Sequence, residues 1–504
     1  MMKDFKTSYV LDVYLQLFKE YQCTTLNLRI LWRDCIISMD QDHTKYVLAT
    51  GFGRFWRGHA QKERLETFLG SGIFNRDDDD WKEHRAIARP FFARDRIEDF
   101  DNFETHTART LSILTSLAST QEAFDAQDLY SRFTLDSASE FLFGKNLDTL
   151  SQSRPIPGQT VMGPKGSAVE GDWGSFAKAF ETAQINATTR ARIGHWWPLL
   201  ELFKDKNAEH ADVIHRWLDP LVQRALNERT QRIGRKRADS KASLGTSFLK
   251  HIAECVDDPV TIRDQLLNML LASRDTTATV LTFLTYLLAT HPDVTDRLRA
   301  EILEHVGPTS HPFPDTLKQL KYLRAVLNET MRLYPPVPLN IRETRSASCT
   351  LPPSDPTYAS SDTRPFYMPA KTIIMYFPLL TQRNPALWGE DAEEFVPERW
   401  IDPDRASKIV NNPAMYAPFS AGPRICLGQN YAYNQMSYFV VRLLQQFDRF
   451  TLAPEFQPPG SLPPKEWKHR QGRQKDEKIW PAAALTLFVK GGLWVKCHLA
   501  KTHS

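Results

Sequence analysis

The sequence contains no long apolar run. Its N-terminal stretch, Met1 to Glu20, mixes charged and apolar residues, and no segment approaches the ~18 apolar residues that a membrane-spanning helix needs. The uncharged run from Thr276 to Thr290 is short and rich in threonine, which favours a buried core helix. The sequence therefore predicts neither a secretory signal nor a membrane-spanning segment.

Cysteine is scarce, and its spacing excludes several kinds of site. The six cysteines include no C-x-x-C pair and no obvious zinc pattern. This distribution favours a reducing compartment and one functional thiol rather than a set of disulfides. The six residues are Cys23, Cys35, Cys255, Cys349, Cys426 and Cys497.

An excess of one charge is also missing. The formal net charge is +3 over 504 residues, and short basic runs such as 235–237 are typical of a solvated linker. Nucleic acid is therefore not a predicted partner. No G-x-G-x-x-G stands at a strand–helix junction, so no flavin or nicotinamide domain is predicted within the chain.

The most informative stretch that is present covers residues 419–428. A Gly-Pro loop leads to Cys426 and then to Tyr431–Phe447, a segment without Pro or Gly that predicts a helix. A thiolate is favoured just before a helix N-terminus, so Cys426 is a candidate nucleophile or metal ligand. The flanking residues favour the ligand, because Gly422 permits a tight turn and Gly428 lets a flat group approach the backbone.

Cationic residues accompany this loop. Arg424 lies two residues before the cysteine and suits a carboxylate on the bound group. Far upstream, Trp81 and Arg85 are i,i+4 neighbours on a predicted helix. An indole N–H beside a guanidinium suits the binding of one anionic group.

A long helix is predicted from Asp264 to Thr290, and its middle is unusually polar. There Asp275 and Thr276 interrupt a sequence that is dominated by leucine. Buried acids and hydroxyls need hydrogen-bond partners, so this stretch invites a functional explanation. The structural alternative is a back-bonded pair on a core helix.

A further polar set combines Glu329 and Arg332 on the predicted helix Leu320–Leu333. Their i,i+3 spacing alone is typical of a surface ion pair. A proline-rich stop follows the helix, however, and the later sequence Pro-Glu-Arg-Trp supplies Arg399. A carboxylate between two buried guanidiniums would be a structural element.

Taken together, these motifs resemble those of the cytochrome P-450 monooxygenases. The loop pattern F-x-x-G-x-R-x-C-x-G is complete, and the other motifs precede it in the family's order. The resemblance implies heme b, iron protoporphyrin IX, with Cys426 as the protein ligand to the iron. The loop positions that match are Phe419, Gly422, Arg424, Cys426 and Gly428.

The resemblance also implies roles for the other motifs. Thr276 would orient the distal water and Asp275 would help to deliver protons, whereas Ser273 stands where the family usually has glycine. This departure leaves the geometry of the oxygen site open. The residues implied at the haem propionates are Trp81, Arg85 and Arg342. The residues implied to lock the cysteine loop are Glu329, Arg332 and Arg399.

The implied fold is mainly α: the cytochrome P-450 fold, with a large helical lobe, a smaller β-rich lobe and the haem between them. Short β-type runs between Leu26 and Met39, and alternation from Ala483 to Val489, supply strands for the smaller lobe. We expect one catalytic domain over 1–504, without the family's N-terminal membrane anchor. The family's location is the cytosolic face of the endoplasmic reticulum membrane, where this chain would dock peripherally unless it is soluble or truncated.

The implied activity is insertion of one oxygen atom from O2 into an apolar substrate. Electrons would come from NADPH through a separate cytochrome P-450 reductase, with cytochrome b-five as a second candidate donor. Three stretches, 89–97, 271–278 and 429–435, look like the fungal branch that hydroxylates alkanes and fatty acids. Related enzymes of that type oxidise aromatic xenobiotics, so fatty acids, alkanes and aromatic or terpenoid compounds are all candidate substrates.

Other functions stay open at this point. A haem-thiolate isomerase or dehydratase of fatty-acid hydroperoxides would need neither a reductase nor Thr276, so the retention of Asp275 and Thr276 argues against it. A non-catalytic haem-binding protein and an inactive gene product are further alternatives. Cofactor content and NADPH-dependent turnover distinguish among these functions.

An aromatic stretch, Ile193 to Leu200, connects two predicted helices. These are Phe176–Arg190 and Ala211–Arg229, the second kinked or broken at Pro220. The connection would form a lid over a substrate channel, an interfacial membrane contact or ordinary packing between helices.

Overall fold

The structure is a computed structural model, and it describes residues 8–29, 32–92, 99–171, 173–235, 247–354 and 365–501. Helices make up most of these ranges, which confirms the mainly α expectation. Within the same ranges, no helix combines the length and the apolar character that crossing a membrane requires.

Several helices begin at a capping side chain. In the longest one, Asp258 accepts hydrogen bonds from the Val260 and Thr261 N–H groups, and Pro259 takes the first helical position. In chain order the α-helices are α1 Asp12–Glu20, α2 Gln41–Lys45, α3 His59–Leu69, α4 Asp78–Ala88, α5 Phe100–Thr120, α6 Ala126–Phe143, α7 Gly174–Ile193, α8 Ala208–Arg235, α9 Phe248–Cys255, α10 Pro259–Thr290, α11 Pro292–His305, α12 Pro314–Gln319, α13 Lys321–Leu333, α14 Pro378–Thr381, α15 Pro385–Trp388, α16 Pro403–Asn411 and α17 Gln429–Gln446.

The strands form small sheets beside the helical lobe. They are β1 Thr25–Asn27, β2 Cys35–Ser38, β3 Phe55–Trp56, β4 Phe124–Asp125, β5 Asn340–Thr344, β6 Cys349–Leu351, β7 Phe366–Met368, β8 Ile373–Tyr376, β9 Phe447–Leu452, β10 Pro481–Ala483, β11 Leu487–Val489 and β12 Trp494–Leu499. The largest sheet has the order β1-β2-β8-β5-β3, in which β2 and β8 are parallel. Smaller sheets are β4-β12-β9, β10-β11 and β6-β7.

Helix α10 runs through the centre of the helical lobe and packs on α6 and α13. From Asp264 to Leu288 its residues are buried, with three exceptions that lie within one turn or so of each other. These half-buried residues are Ala272, Ser273 and Thr276. A core helix that opens at one point on one face borders a cavity at that point.

The sequence predicts a kink or a break at Pro220, and of these two outcomes the break is wrong. Helix α8 runs from Ala208 to Arg235 without a break at Pro220. A proline removes one backbone hydrogen bond. The helix continues through it because α8 packs along both α7 and α10, and this tertiary contact outweighs the lost bond.

Candidate active site

A cavity of about 800 Å³ lies between α10, the 419–428 loop, β5 and the β10–β11 hairpin. Cys426 and Arg424 line it on the loop side, and Ser273 and Thr276 line it on the α10 side. Most of the remaining lining is apolar, with leucine, methionine, valine and phenylalanine side chains from both lobes. The cavity therefore combines one thiol, a few polar groups and a large apolar volume, as ligand sites in proteins usually do.

The backbone of the 419–428 loop is tightly folded. The Cys426 N–H donates to the Phe419 carbonyl at 3.0 Å, which closes the loop. Gly422 has φ +66°, and a Cβ built on it would lie 1.9 Å from the Leu48 carbonyl oxygen. Gly428, by contrast, has ordinary backbone angles, and a Cβ there would meet only Phe92 at 3.6 Å. Gly422 is thus required by the backbone, whereas Gly428 leaves room on the cavity side.

The Cys426 side chain is accessible, but the space it faces is the cavity. Burial in the protein raises the pKa of its thiol, and this effect outweighs the Gly428 N–H and the Arg85 charge, which lower it. Burial therefore opposes the effect of the helix terminus on this thiol. Coordination of a metal cation would deprotonate the thiol directly.

Four arginines line one side of the cavity. They are Arg57, Arg85, Arg342 and Arg424. Arg424 donates to Asp77 at 2.7 Å and to the Arg76 carbonyl at 2.8 Å. Arg57 donates to Asn340 Oδ1 at 3.1 Å, but its buried Nε has no partner among the described residues.

This cluster carries more positive than negative charge. Burial and the neighbouring Arg342 and Arg424 lower the pKa of Arg57 well below its usual range. Burial, followed by Arg342, likewise lowers the pKa of Arg424 to about 10, although Asp77 opposes the shift. Such mutual repulsion in a buried setting indicates a site that is completed by an anionic ligand.

Trp81 and Arg85 come to the cavity from α4, as their spacing predicted. Both line it, and the Arg85 guanidinium lies 5.9 Å from the Trp81 ring centroid. Arg424 also lies over this ring, at 4.3 Å. Sequence reasoning missed Arg57, which follows β3 and had no motif around it.

On the opposite side, the two half-buried hydroxyls of α10 face the cavity. Thr276 Oγ1 donates to the Ala272 carbonyl at 2.7 Å, and Ser273 Oγ donates to the Met269 carbonyl at 2.8 Å. Each hydroxyl thus uses its proton within the helix, and its oxygen still offers lone pairs.

Asp275 does not line the cavity. Its carboxylate pairs with Lys165 Nζ at 2.5 Å and with Arg274 Nη1 at 2.8 Å. Lys165 also donates to Gln184 at 2.8 Å and to Thr486 at 2.9 Å. The acid is therefore held in a buried ion cluster on the side of α10 away from the two hydroxyls.

The same cluster contains a second acid. Glu181 of α7 accepts the backbone N–H groups of Lys165 and Ser167, at 2.8 and 3.2 Å, and lies 3.7 Å from Arg274. Two cations, Lys165 and Arg274, balance two carboxylates, and each of the four side chains is at most 6% exposed. Sequence reasoning missed Lys165 and Glu181, because neither lies in a motif.

The charge of Asp275 follows from this pairing. Burial by itself raises the pKa of Asp275, but the ion pairs with Lys165 and Arg274 outweigh it and hold the pKa below its usual value. For Glu181 burial wins, and its pKa is raised although Arg274 opposes the shift. The pKa values of the two acids thus shift in opposite directions, because the ion pairs outweigh burial at Asp275 but not at Glu181.

Glu329, Arg332 and Arg399 form the buried set that their order in the sequence suggested. Glu329 accepts two hydrogen bonds from Arg332 at 2.8 Å and one from Arg399 at 2.9 Å. Trp400 Nε1 and the Val396 N–H donate to the same carboxylate, at 2.9 and 3.0 Å. Glu329 is fully buried, and the surrounding donors satisfy both of its carboxylate oxygens.

The site defines a class of protein: one that presents a single thiol to a deep apolar cavity, beside a cationic cluster and opposite a hydroxyl-bearing helix. The family model for cytochrome P450 matches residues 4–469. The chain belongs to the cytochrome P450 family and is a monooxygenase. The predicted fold is confirmed with it.

Curated relatives from fungi support the same conclusion. Cytochrome P450 52A3-A of Candida maltosa is 35% identical over 450 residues, which span 87% of this chain and 80% of the relative. Cytochrome P450 monooxygenase himC of Aspergillus japonicus is 36% identical over 438 residues, or 86% and 73% of the two chains. Cytochrome P450 52-M1 of Starmerella bombicola is 31% identical over 463 residues, or 90% and 83%. Of the stretch 89–97 that suggested this branch, residues 93–97 lie outside the described ranges.

Haem b is the cofactor of this family, and the residues of the cavity fit it. A thiol stands on one wall, as a soft ligand to the iron. The arginine cluster and its unpaired Arg57 Nε suit two carboxylates of one bound group. The open face at Gly428 leaves space for a flat ring.

The first prediction concerns Gly422. Gly422→Ala places a methyl group against the Leu48 carbonyl in addition to the strain of a positive φ. We expect its free energy of unfolding to fall by more than the ~1–2 kcal/mol of left-handed strain alone, with a parallel loss of bound haem. Chemical denaturation measures the first quantity and the absorbance of the purified protein the second. Gly460→Ala is the control, since Gly460 has φ +74° and open space around it. Equal losses in the two variants would contradict the clash.

The second prediction concerns Lys165. Lys165→Met leaves Asp275 with only Arg274 as a cationic partner, so we expect a loss of about 3 kcal/mol in the free energy of unfolding. Lys318→Met removes a partner from the exposed Lys318–Asp315 pair and should cost less than about 1 kcal/mol. Combining Lys165→Met with Asp275→Asn should recover part of the loss. If the two lysine variants unfold alike, the ion cluster has no role in stability.

Proposed function

We propose that this monooxygenase hydroxylates long apolar chains, alkanes or fatty acids, with electrons that a separate NADPH-dependent reductase supplies. The observation that carries the proposal is the cavity of about 800 Å³, which is apolar over most of its surface and ends at Cys426. A long chain gains about 0.8 kcal/mol for each methylene buried there. Relatives of this chain are named as cytochrome P450 52 proteins and as a monooxygenase.

The chain's residues bind the cofactor in two places. Cys426 is the ligand to the haem iron, and Phe419, Gly422 and Gly428 set the backbone around it. The cationic cluster binds the propionates. Its members in this role are Trp81, Arg85, Arg342 and Arg424, together with Arg57. The buried set of Glu329, Arg332 and Arg399 fixes the segments that lead to the loop, because its two guanidiniums donate hydrogen bonds to backbone carbonyls of those segments.

When bound, haem supplies the activation of O2 and the transfer of one oxygen atom to the substrate. The chain supplies the surroundings of that chemistry. Thr276 Oγ1 would accept a hydrogen bond from a water at the α10 side of the cavity. On turning from the Ala272 carbonyl it would donate its own proton into the cavity and regain one from that water. Asp275 reaches the same water only if its carboxylate leaves Lys165 and Arg274, so the ion cluster keeps the acid out of the cavity in the conformation described. The apolar walls exclude bulk water from the reacting bond.

A hydroperoxide isomerase or dehydratase would have no use for this proton path. Thr276 nevertheless lies on the cavity wall, where its hydroxyl oxygen can still accept a hydrogen bond. The position of Thr276 therefore favours oxygen activation with NADPH. Membership of the cytochrome P450 family supports a reductase as redox partner, with cytochrome b-five as a second candidate donor.

A peripheral contact with the endoplasmic reticulum membrane is part of the proposal. The segment after α7, Gly194–Leu200, and the residues that follow present apolar side chains to solvent: Trp196, Leu199, Leu200, Leu202 and Phe203. Arg190 fixes this segment, because its guanidinium donates to Glu201 and Asp205 at 2.5 Å and lies 4.4 Å from the Trp197 ring centroid. An apolar patch that is held outward in this way suits a lipid surface.

The third prediction tests the substrate class. Titration of the haem-loaded protein with long-chain fatty acids, alkanes and polycyclic aromatics should give saturable spectral shifts, tightest for the long chains. Leu339→Asn puts a polar group in the cavity lining and should weaken long-chain binding roughly tenfold. Val410→Asn changes an exposed residue outside the cavity and should leave binding unchanged. Binding of aromatics alone would contradict the proposal, as would turnover that needs hydroperoxide but not NADPH.

A further inference from the structure

Ser273 is the residue in this site that departs from the pattern of the family. It lies three residues before Thr276 on α10, so the two side chains share a face of the helix. Both line the cavity. Together with Ala272, they are the residues of the helix between Asp264 and Leu288 that are not buried.

The hydrogen bonds of Ser273 match those of Thr276. Ser273 Oγ donates to the Met269 carbonyl at 2.8 Å, with a longer contact to the Leu270 carbonyl at 3.4 Å, and Thr276 Oγ1 donates to Ala272. A hydroxyl in this state can accept a hydrogen bond from the cavity, and rotation about χ1 converts it into a donor. Each helix carbonyl still has its backbone N–H, so this rotation leaves no carbonyl without a partner.

The acid of the motif does not compete for this position. Asp275 is held by Lys165 and Arg274 on the other side of the helix. The half-buried polar groups that α10 offers to the cavity are therefore two hydroxyls, and the buried Thr277 adds a third hydroxyl to the lining. A small polar molecule bound at this wall can reach both half-buried hydroxyls, since they lie one turn apart.

We infer that Ser273 is a second positioning hydroxyl on the α10 side of the cavity. Ser273 and Thr276 both form hydrogen bonds with the small polar species that binds there. Ser273 then does more than occupy the space that a glycine would leave open. It follows that loss of the Thr276 hydroxyl is partly compensated in this chain, and that loss of both hydroxyls costs more than either loss alone.

Cyanide binding to the ferric haem protein tests this inference without substrate, reductase or turnover. Cyanide is a small linear anion whose outer nitrogen can accept a hydrogen bond from the protein. We expect Ser273→Ala and Ser273→Gly to weaken cyanide binding by similar factors, roughly fivefold, which is what one ordinary hydrogen bond contributes. Ser273→Thr keeps the hydroxyl and should stay within about twofold of wild type.

Controls separate the hydroxyl from other effects. Thr282→Val removes a buried hydroxyl that donates to the Ala278 carbonyl at 2.7 Å on the same helix but away from the cavity, and should leave cyanide affinity unchanged. The double variant Ser273→Ala/Thr276→Ala should bind cyanide more weakly than either single variant. In NADPH-driven turnover, the same double variant should release the largest share of reducing equivalents as peroxide.

The inference is overturned if Ser273→Ala binds cyanide like wild type, whether or not Ser273→Gly binds it more tightly than wild type. This result would mean that Ser273 only fills space. A protein that binds haem and cyanide normally but no long apolar chain would contradict the proposed substrate class and leave the role of Ser273 intact. Thermal unfolding of each variant identifies any that fails to fold.

Discussion

The site depends on the close approach of two backbones, where Gly422 crosses the carbonyl of Leu48. No side chain fits between them, since a Cβ would lie 1.9 Å from that oxygen. This contact fixes the middle of the 419–428 loop, and the hydrogen bond from the Cys426 N–H to the Phe419 carbonyl closes the loop. The thiol is therefore placed by backbone geometry before any ligand binds. A metal ligand that is held in advance loses little entropy on binding, which is the condition for a defined coordination site.

The protein contains two buried groups of charged side chains, one with a structural role and one with a role in ligand binding. In the first, Lys165 and Arg274 balance Asp275 and Glu181, so the group is neutral and complete. In the second, four arginines gather with Asp77 as the carboxylate that pairs with Arg424, and the pKa values of Arg57 and Arg424 fall. Burying unbalanced charge is costly unless a ligand neutralises it. The arginine cluster therefore belongs to ligand binding and the balanced cluster to the scaffold. The balanced cluster also holds Asp275 away from the cavity, so the half-buried polar groups of α10 that face the ligand are the hydroxyls of Ser273 and Thr276.

Much of this site could be predicted from the sequence, because its motifs are local. The spacing of Trp81 and Arg85 and the order of residues around Cys426 are properties of short segments. Lys165 could not be found in this way, because its partner Asp275 is 110 residues away and no motif surrounds it. Arg57 was missed because it, too, has no motif around it. The burial of Cys426, which raises the pKa of its thiol, depends on the whole fold and could not be read from the helix terminus. Long-range packing thus decides what local patterns cannot.

We propose that the sulfur of Cys426 binds the haem iron. X-ray absorption at the iron edge is the most direct test of this bond, because the nearest-neighbour shell distinguishes sulfur from oxygen or nitrogen. We expect one sulfur neighbour at bonding distance in the purified haem-loaded chain, and its replacement by a lighter atom in Cys426→Ser. A sulfur neighbour that persists in Cys426→Ser, or an iron without sulfur in the unaltered chain, would contradict it.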